Sequence, residues 1–404
     1  MRCGNQILRL KTKGPFLKTW NVSEIEQQLE DYLHTEVHKI DGVIGWFCID
    51  FPEEIPISFG LTPLRLMPPP GAIIADSLLD TNFCPYIKAN LSHAYAGDYS
   101  FLDGLVLANT CDGMRRLFDG WKKFARTPFR HLFDLPRLTT EVSKEFYRRN
   151  VLKLIAHMED FFSLKMEEQK LSEAIRLTNR TRFLLRELYK IYNEHPGSVG
   201  YRLVQQCCRA SAILPKTRVN KLLEELITRC RPPRALRTPA RKCRGDASEA
   251  GQNNKRGDSV RPRILLIGNI LENSEIAPFI ESCEAQISYD DLCTGSRLFH
   301  DSIAEDCPPL DALCEHFANK VPCPRMKDVD RRLNHVMNLV KEYKIDGVIS
   351  YTQKFCDPYL YDIPLIKASL KRALVPFLSI ETDYSQRISG QLKTRIKAFL
   401  EMIQ

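Results

Sequence analysis

The apolar positions of the chain follow two spacings, one typical of buried strands and one typical of helices. In the C-terminal part, short runs of consecutive apolar residues predict strands buried on both faces, because half-exposed strands alternate apolar and polar positions. The predicted strands are Arg263–Asn269, Ala285–Asp290, Asp346–Thr352 and Pro376–Ile380, and the predicted helices are Ser274–Ser282, Pro308–Asn319, Met326–Tyr343, Pro358–Ala373 and Gly390–Ile403. This alternation predicts a parallel sheet covered by helices on both faces.

The N-terminal part begins with the same alternation. Its predicted strands are Asp41–Cys48, Ala72–Ala75 and Asp103–Asn109, with helices between them. From about Thr139 to Cys230, long segments with helical periodicity replace this pattern. The predicted fold class is therefore α/β, with two Rossmann-like (flavodoxin-like) parallel-sheet units and a helical section between them.

A basic segment with few large apolar residues separates the two α/β units. Residues 231–263 hold ten Lys or Arg and three acidic residues, so they carry seven of the eight net positive charges of the chain. This composition predicts a flexible linker. The predicted domains are residues 1–138 (N-terminal α/β), 139–230 (helical section), 231–263 (linker) and 264–404 (C-terminal α/β). The rest of the chain is nearly neutral, which argues against a large face for nucleic acid but leaves open a basic arm that contacts RNA or an acidic partner.

Composition is that of an ordinary globular protein. Of the 404 residues, 44% are hydrophobic, and no apolar run approaches the ~18 residues of a membrane helix. The start of the sequence lacks the apolar centre of a signal peptide, so a cytoplasmic location is expected. Glycine motifs for dinucleotides and nucleoside triphosphates are absent from the sequence. The 14 cysteines are too few for a disulfide scaffold and form no CxxC pair, so any metal site must combine cysteines distant in the sequence.

Three segments share an Asp-Gly opening, an apolar run and a following cysteine. They run from Asp41 to Cys48, from Asp103 to Cys111 and from Asp346 to Cys356. Each cysteine therefore falls at or just past the carboxyl end of a predicted strand, the edge where open parallel sheets bind ligands. The alternative is that Asp-Gly is only a common opening of a turn and a strand.

Three cysteines also precede predicted helix starts. Cys84 and Cys356 are followed by proline directly or at the second position, and Cys111 lies beside residues that can cap a helix. Free N–H groups at helix N-termini favour thiolates and can donate hydrogen bonds to sulfide, so this set suits an iron–sulfur cluster. The spacing matches no ferredoxin pattern. Weaker candidates for ligation are Cys48, Cys293 and Cys323.

Several motifs together resemble one family. The chain is similar to the 2-hydroxyacyl-CoA dehydratase and benzoyl-CoA reductase family from about Ile40 to the C-terminus, without the linker. The segments that carry the resemblance are GVIGWFCIDFPEEIPISFGLTPLRL, TCDGMRRLFDGW, DDLCTGSRLF, DGVISYTQKFCDP and IETDYSQRISGQLKTRIKAFLEMI. The resemblance implies one 4Fe-4S cluster per chain in the inter-domain cleft, held by Cys84, Cys111 and Cys356, with one iron open for another ligand.

The resemblance also implies an activity and partners. In the family, two homologous subunits form a heterodimer, and a separate ATP-hydrolysing iron–sulfur activator supplies one electron at low potential. The electron makes a ketyl radical on the thioester of a 2-hydroxyacyl-CoA, and the radical expels the hydroxyl group. Three alternatives stay open: a benzoyl-CoA reductase-type subunit, a non-catalytic iron–sulfur electron-transfer or scaffold protein, and a structural α/β protein without the cluster.

The chain departs from the family pattern in two places. The linker is longer than usual, and the stretch between Cys84 and Cys111 holds no further cysteine, which argues against a double-cubane cluster. The sequence does not distinguish the substrate-binding subunit from the electron-relaying one. Glu54, in FPEEIP after the first strand, is the predicted catalytic base facing the cluster pocket. The alternative is an acidic residue in the first turn of a helix that needs no other role.

Overall fold

The computed structural model describes residues 22–69, 74–195, 199–230, 261–271, 275–321, 323–384 and 387–404. The helices in this part of the chain are α1 (Val22–Asp31), α2 (Glu54–Ser58), α3 (Pro85–Ala96), α4 (Asp112–Phe124), α5 (Glu141–Phe162), α6 (Glu168–Glu194), α7 (Tyr201–Ile213), α8 (Lys216–Cys230), α9 (Ile276–Ser282), α10 (Pro309–Asn319), α11 (Val329–Glu342), α12 (Asp357–Arg372) and α13 (Gly390–Ile403). The strands are β1 (Val43–Trp46), β2 (Thr62–Arg65), β3 (Gly104–Ala108), β4 (Phe129–Phe133), β5 (Arg263–Gly268), β6 (Gln286–Asp291), β7 (Gly347–Gln353) and β8 (Phe377–Thr382). Most of the predicted linker, residues 231–260 with Cys243, lies outside the described residues.

The strands form two four-stranded sheets with the same order. The first runs β2-β1-β3-β4 and the second β6-β5-β7-β8, and every pairing is parallel. The predicted α/β fold of two Rossmann-like units is thereby confirmed. In each sheet, the first strand in the chain pairs with the second strand on one side and with the third strand on the other, so the strand order reverses between the two central strands. Open parallel sheets bind ligands at the carboxyl ends of the strands at such a reversal.

The repeated Asp-Gly pair has a structural explanation in both sheets. The Asp103 carboxylate accepts hydrogen bonds from the Gly42 and Val43 amides at 2.6 and 2.9 Å, where β1 begins. Asp346 accepts from the Arg263 amide at 2.7 Å, where β5 begins. Each aspartate therefore holds its own central strand in register with the neighbouring one. The glycine that follows Asp103 leaves room for the Ile44 side chain, since a Cβ there would lie 2.7 Å from its Cδ1.

Two strands differ from the prediction. The prediction of a strand at Ala72–Ala75 is wrong, because Ile74–Ser77 forms a short 3-10 helix. Residues 70–73 lie outside the described part of the chain. The strand next to β1 is instead β2, which begins with Thr-Pro and is half-buried at that end. The prediction also missed β4, whose central residues are polar or half-buried. Both are edge strands, which lack the long apolar runs of central strands.

One hydrophobic core joins the two sheets through the helical section. Leu107 of β3, Val204 of α7 and Leu265 of β5 are fully buried in the same cluster. A second cluster packs the other face of the first sheet against α5 and α10. The edges of the two sheets are therefore held in a fixed relation. Within the described ranges, no helix combines the length and the apolar character that crossing a membrane requires.

Candidate active site at the facing edges of the two sheets

A cavity of about 310 Å³ lies between the carboxyl ends of the two sheets. Its wall combines residues that follow β1 and β3 with residues that follow β5, β6 and β7. The cysteines among them are Cys48, Cys84, Cys111, Cys293, Cys323 and Cys356. The structure thus brings together all three predicted ligands and all three weaker candidates, from positions spread over about 300 residues.

The three predicted ligands each stand directly before a helix. Cys84 precedes α3, Cys111 precedes α4 and Cys356 precedes α12. The Cys111 thiol accepts a hydrogen bond from the Met114 amide at 3.4 Å. Helix N-termini favour negative charge, so this arrangement stabilises the thiolate that a metal requires.

The surroundings of Cys111 and Cys356, however, favour the neutral thiol over the thiolate. Burial raises the pKa of Cys111 to about 11, against the effect of the Met114 amide. The pKa of Cys356 lies well above its usual range, mainly because of a hydrogen bond with Cys84 and then because of burial. Hydrogen bonds from the Asn269 side chain and the Tyr359 amide act in the opposite direction and lower this pKa. A soft cation that binds here must therefore displace protons from buried thiols.

Gln353, at the end of β7, connects the two units beside these thiols. Its Oε1 accepts from the Cys84 thiol at 3.2 Å and from the Tyr86 amide at 3.3 Å, and its Nε2 donates to the Ile270 carbonyl at 3.2 Å. The side chain is fully buried. No sequence motif marks Gln353, and the available signal is its place at the end of a buried strand, three residues before Cys356.

The other three cysteines occupy another part of the cavity wall. The Cys48 thiol lies 3.2 Å from the Thr110 hydroxyl, and the Cys293 thiol lies 3.3 Å from the Tyr359 hydroxyl. Burial raises the pKa of Cys323 to about 12. The Cys48 and Cys293 thiols therefore have hydrogen-bond partners within the protein, as packing residues do.

The types and the spacing of the possible metal ligands indicate which metal group fits the site. Within the described ranges, no three His, Cys, Asp or Glu side chains stand close enough to bind a single metal ion. The ligands of a cluster bind separate iron atoms and stand farther apart than the ligands of one ion. Three thiols from three helix N-termini, with amide N–H groups beside them, fit an iron–sulfur cluster, for which thiolate is the usual ligand.

Charged groups also line the cavity. Although burial alone would raise the pKa of Asp50, Arg325 holds it below its ordinary value, and the two groups lie 2.9 Å apart. Lys320 does not line the cavity itself, but it donates at 2.5 Å to the carbonyl of Ile49, which does, and burial lowers the pKa of Lys320 to about 8. Arg65 lines the cavity as well. No local sequence pattern marks these charged residues, because their partners are distant in the chain.

Glu54 lies elsewhere. Its carboxylate is fully buried between α2 and α6, 2.5 Å from Arg182, and it accepts a hydrogen bond from the Thr178 hydroxyl at 2.9 Å. It is not among the residues that line the cysteine cavity. Burial would raise the pKa of Glu54, but Arg182 holds it below its ordinary value. The expected position at the cluster pocket is therefore not observed, and a catalytic role for Glu54 stays a prediction without a contact that supports it.

Comparisons with known proteins agree with the resemblance. A model of the family described as 2-hydroxyglutaryl-CoA dehydratase, D-component, matches residues 48–403. The chain is 24% identical to the (R)-phenyllactyl-CoA dehydratase beta subunit of Clostridium sporogenes, over 89% of this chain and 91% of that protein. It is 24% identical to the beta subunit of (R)-2-hydroxyglutaryl-CoA dehydratase of Acidaminococcus fermentans, over 91% of this chain and 94% of that protein. It is 22% identical to one of the subunits of the benzoyl-CoA reductase of Thauera aromatica, over 87% of each.

Proposed function

The chain belongs to the 2-hydroxyglutaryl-CoA dehydratase D-component family, and we propose that it is the 4Fe-4S subunit of a reductively activated 2-hydroxyacyl-CoA dehydratase. The observation that carries the proposal is the cavity between the sheets, where Cys84, Cys111 and Cys356 each precede a helix. These three thiols hold the cluster. When bound, the cluster supplies single electrons at low potential.

The rest of the cavity binds and orients the acyl group and excludes water from it. Ile87, Met114 and Ile270 give the wall apolar surface. The Asn269 side chain donates to Cys356, while its Oδ1 is buried without a hydrogen-bond partner in the described part of the chain. That oxygen is available to accept a hydrogen bond from a hydroxyl group, such as the one that the reaction removes.

We further propose that the chain works with two partners, a homologous second subunit and an ATP-hydrolysing iron–sulfur activator. The names of two relatives support the first partner, because they describe beta subunits of acyl-CoA dehydratases. The electron for the acyl-CoA thioester comes from the activator. It forms a ketyl radical on the thioester carbonyl of the substrate, and this radical expels the 2-hydroxyl group as hydroxide. Loss of a proton from C3 and return of the electron then give the enoyl-CoA and water.

A second candidate function is a benzoyl-CoA reductase-type subunit. The similarity to the benzoyl-CoA reductase of Thauera aromatica over 87% of the chain favours it. The two functions differ in outcome, because a dehydratase releases water from a 2-hydroxyacyl-CoA, whereas a reductase adds electrons to an aromatic acyl-CoA. A non-catalytic electron-transfer or scaffold role predicts neither reaction.

The test is anaerobic turnover of the chain produced together with its second subunit and activator. We expect loss of water from a 2-hydroxyacyl-CoA that depends on both ATP and reductant. Cys111→Ser should abolish turnover, whereas Cys307→Ser, which changes an exposed thiol outside the cavity wall, should not. Turnover of benzoyl-CoA alone would favour the second candidate, and failure to bind any acyl-CoA would contradict both enzyme functions.

A further inference from the structure

In the part of the chain that the structure describes, two arginines lack an acidic partner. One lines the cavity, and the other contacts a residue of the cavity wall. Arg65, at the end of β2, is 2% exposed. Its Nε donates to the Phe47 carbonyl at 2.9 Å, and its Nη1 donates to the Cys293 carbonyl at 2.6 Å. Both acceptors are neutral, and among the described residues no carboxylate lies within ion-pair distance of this guanidinium.

Arg137 repeats this arrangement beside a predicted ligand. Its Nη1 donates to the carbonyl of Thr110, the residue before Cys111, at 2.6 Å. The side chain is half-buried, and no described carboxylate pairs with it. This bond places the guanidinium charge of Arg137 beside the segment that carries Cys111.

Three exposed aspartates, Asp80, Asp112 and Asp357, also line the cavity. Among the charged side chains that are buried there, however, positive charge exceeds negative charge. Asp50 neutralises Arg325, and it also faces Lys320. In the described part of the chain, no carboxylate forms an ion pair with Arg65 or Arg137. An uncompensated buried charge is strongly unfavourable, so the buried guanidinium of Arg65 indicates that an anion belongs in the cavity that it lines.

We propose that Arg65 and Arg137 are positioning residues that supply the fixed positive charge for an anionic, cysteine-ligated iron–sulfur group in this cavity. The inference rests on the proposed function, because it requires the cluster. Three thiolates make such a group anionic, and reduction by one electron makes it more negative. Fixed positive charge stabilises the reduced state more than the oxidised one, and it therefore raises the reduction potential.

The experiment is a redox titration of anaerobically loaded protein, followed by the electron paramagnetic resonance signal of the reduced cluster. In Arg65→Gln and Arg137→Gln, we expect the ratio of reduced to oxidised cluster at a fixed potential to fall about tenfold, which is about 59 mV for one electron. Arg65→Lys and Arg137→Lys keep the charge and should stay near the wild-type value.

Arg186 offers a matched control. It also binds a carbonyl, that of Phe299, at 2.6 Å, but it lines a different groove. Arg186→Gln should leave the potential unchanged. If Arg65→Gln fails to fold, Arg137→Gln still tests the proposal, because that side chain is only half-buried.

The outcomes separate the two proposals. Loaded glutamine variants with an unchanged potential would overturn the inference and leave the proposed function standing. An equal shift in Arg186→Gln would also overturn it, since the effect would not come from the cavity. Wild-type protein that binds no iron and sulfide would overturn the proposed function and the inference with it.

Discussion

The buried ion pair between Glu54 and Arg182 predicts a large loss of stability in Glu54→Gln. The two groups lie 2.5 Å apart and are 0% and 8% exposed in their side chains. Glutamine keeps the shape and can still accept from Thr178, but it leaves the Arg182 charge buried without its counter-ion. Breaking a buried pair in this way costs about 3–5 kcal/mol of unfolding free energy.

A second pair on the same helix provides the control. Arg180 of α6 lies 2.7 Å from Glu224 of α8, and both side chains are about half exposed. Exposed pairs contribute about 0–1 kcal/mol. We therefore expect Glu224→Gln to unfold in urea close to wild type and Glu54→Gln to unfold at clearly lower urea. Equal stability of the two variants would refute the assignment of Glu54 to a structural ion pair.

The pH dependence follows from the direction of the Glu54 shift. Arg182 holds the pKa of folded Glu54 below its ordinary value, although burial alone would raise it. The unfolded chain then binds more protons than the folded chain as this group titrates. The stabilisation is therefore present above the ordinary glutamate pKa and is lost as the pH falls through the folded pKa. The difference between wild type and Glu54→Gln should shrink at acid pH, and a difference that grows there would contradict this sign.

Three further predictions concern other sites. A methyl group at Gly104 would lie 2.7 Å from Ile44, whereas nothing lies within 4 Å of one at Gly390, so Gly104→Ala should cost about 1–3 kcal/mol of thermal stability and Gly390→Ala little. Gln353→Leu removes the acceptor shared by a thiol and an amide; we expect it to lower iron content while far-ultraviolet circular dichroism stays native. Because burial lowers the pKa of Lys320 to about 8, the unfolded chain binds more protons above that pH. Wild type should therefore gain stability relative to Lys320→Met as the pH rises from about 8 toward 10, measured by urea unfolding.

The strongly periodic elements could be predicted from the sequence, and the weakly periodic ones could not. The predicted helix Gly390–Ile403 matches α13 at both ends, because an amphipathic face and a serine cap mark it. The edge strands β2 and β4 were missed, because their side chains are not uniformly apolar. These two segments form strands because they pair with a central strand, and not because of a pattern in their own sequence.

The cysteines of the candidate site were identified for a physical reason. Cys84, Cys111 and Cys356 stand where buried strands or loops lead into helices, and this position is readable from sequence. The charged residues of the cavity wall could not be predicted from the sequence, because their partners are distant in the chain. Arg65, for example, binds the carbonyl of Cys293, which is 228 positions away. The position of Glu54 was mispredicted for the same reason. Its place after β1 suggested that it faces the cavity, but its carboxylate forms a buried ion pair with Arg182 of α6 instead.

The measurement that tests the central claim most directly is iron and sulfide content of the anaerobically purified chain. We predict about four irons and four sulfides per chain, as expected for one 4Fe-4S cluster. Cys84→Ser, Cys111→Ser and Cys356→Ser should each lose this content, while Cys307→Ser, which changes an exposed thiol, retains it. Wild-type protein without iron, or full iron content in all three serine variants of the cavity, would contradict the account.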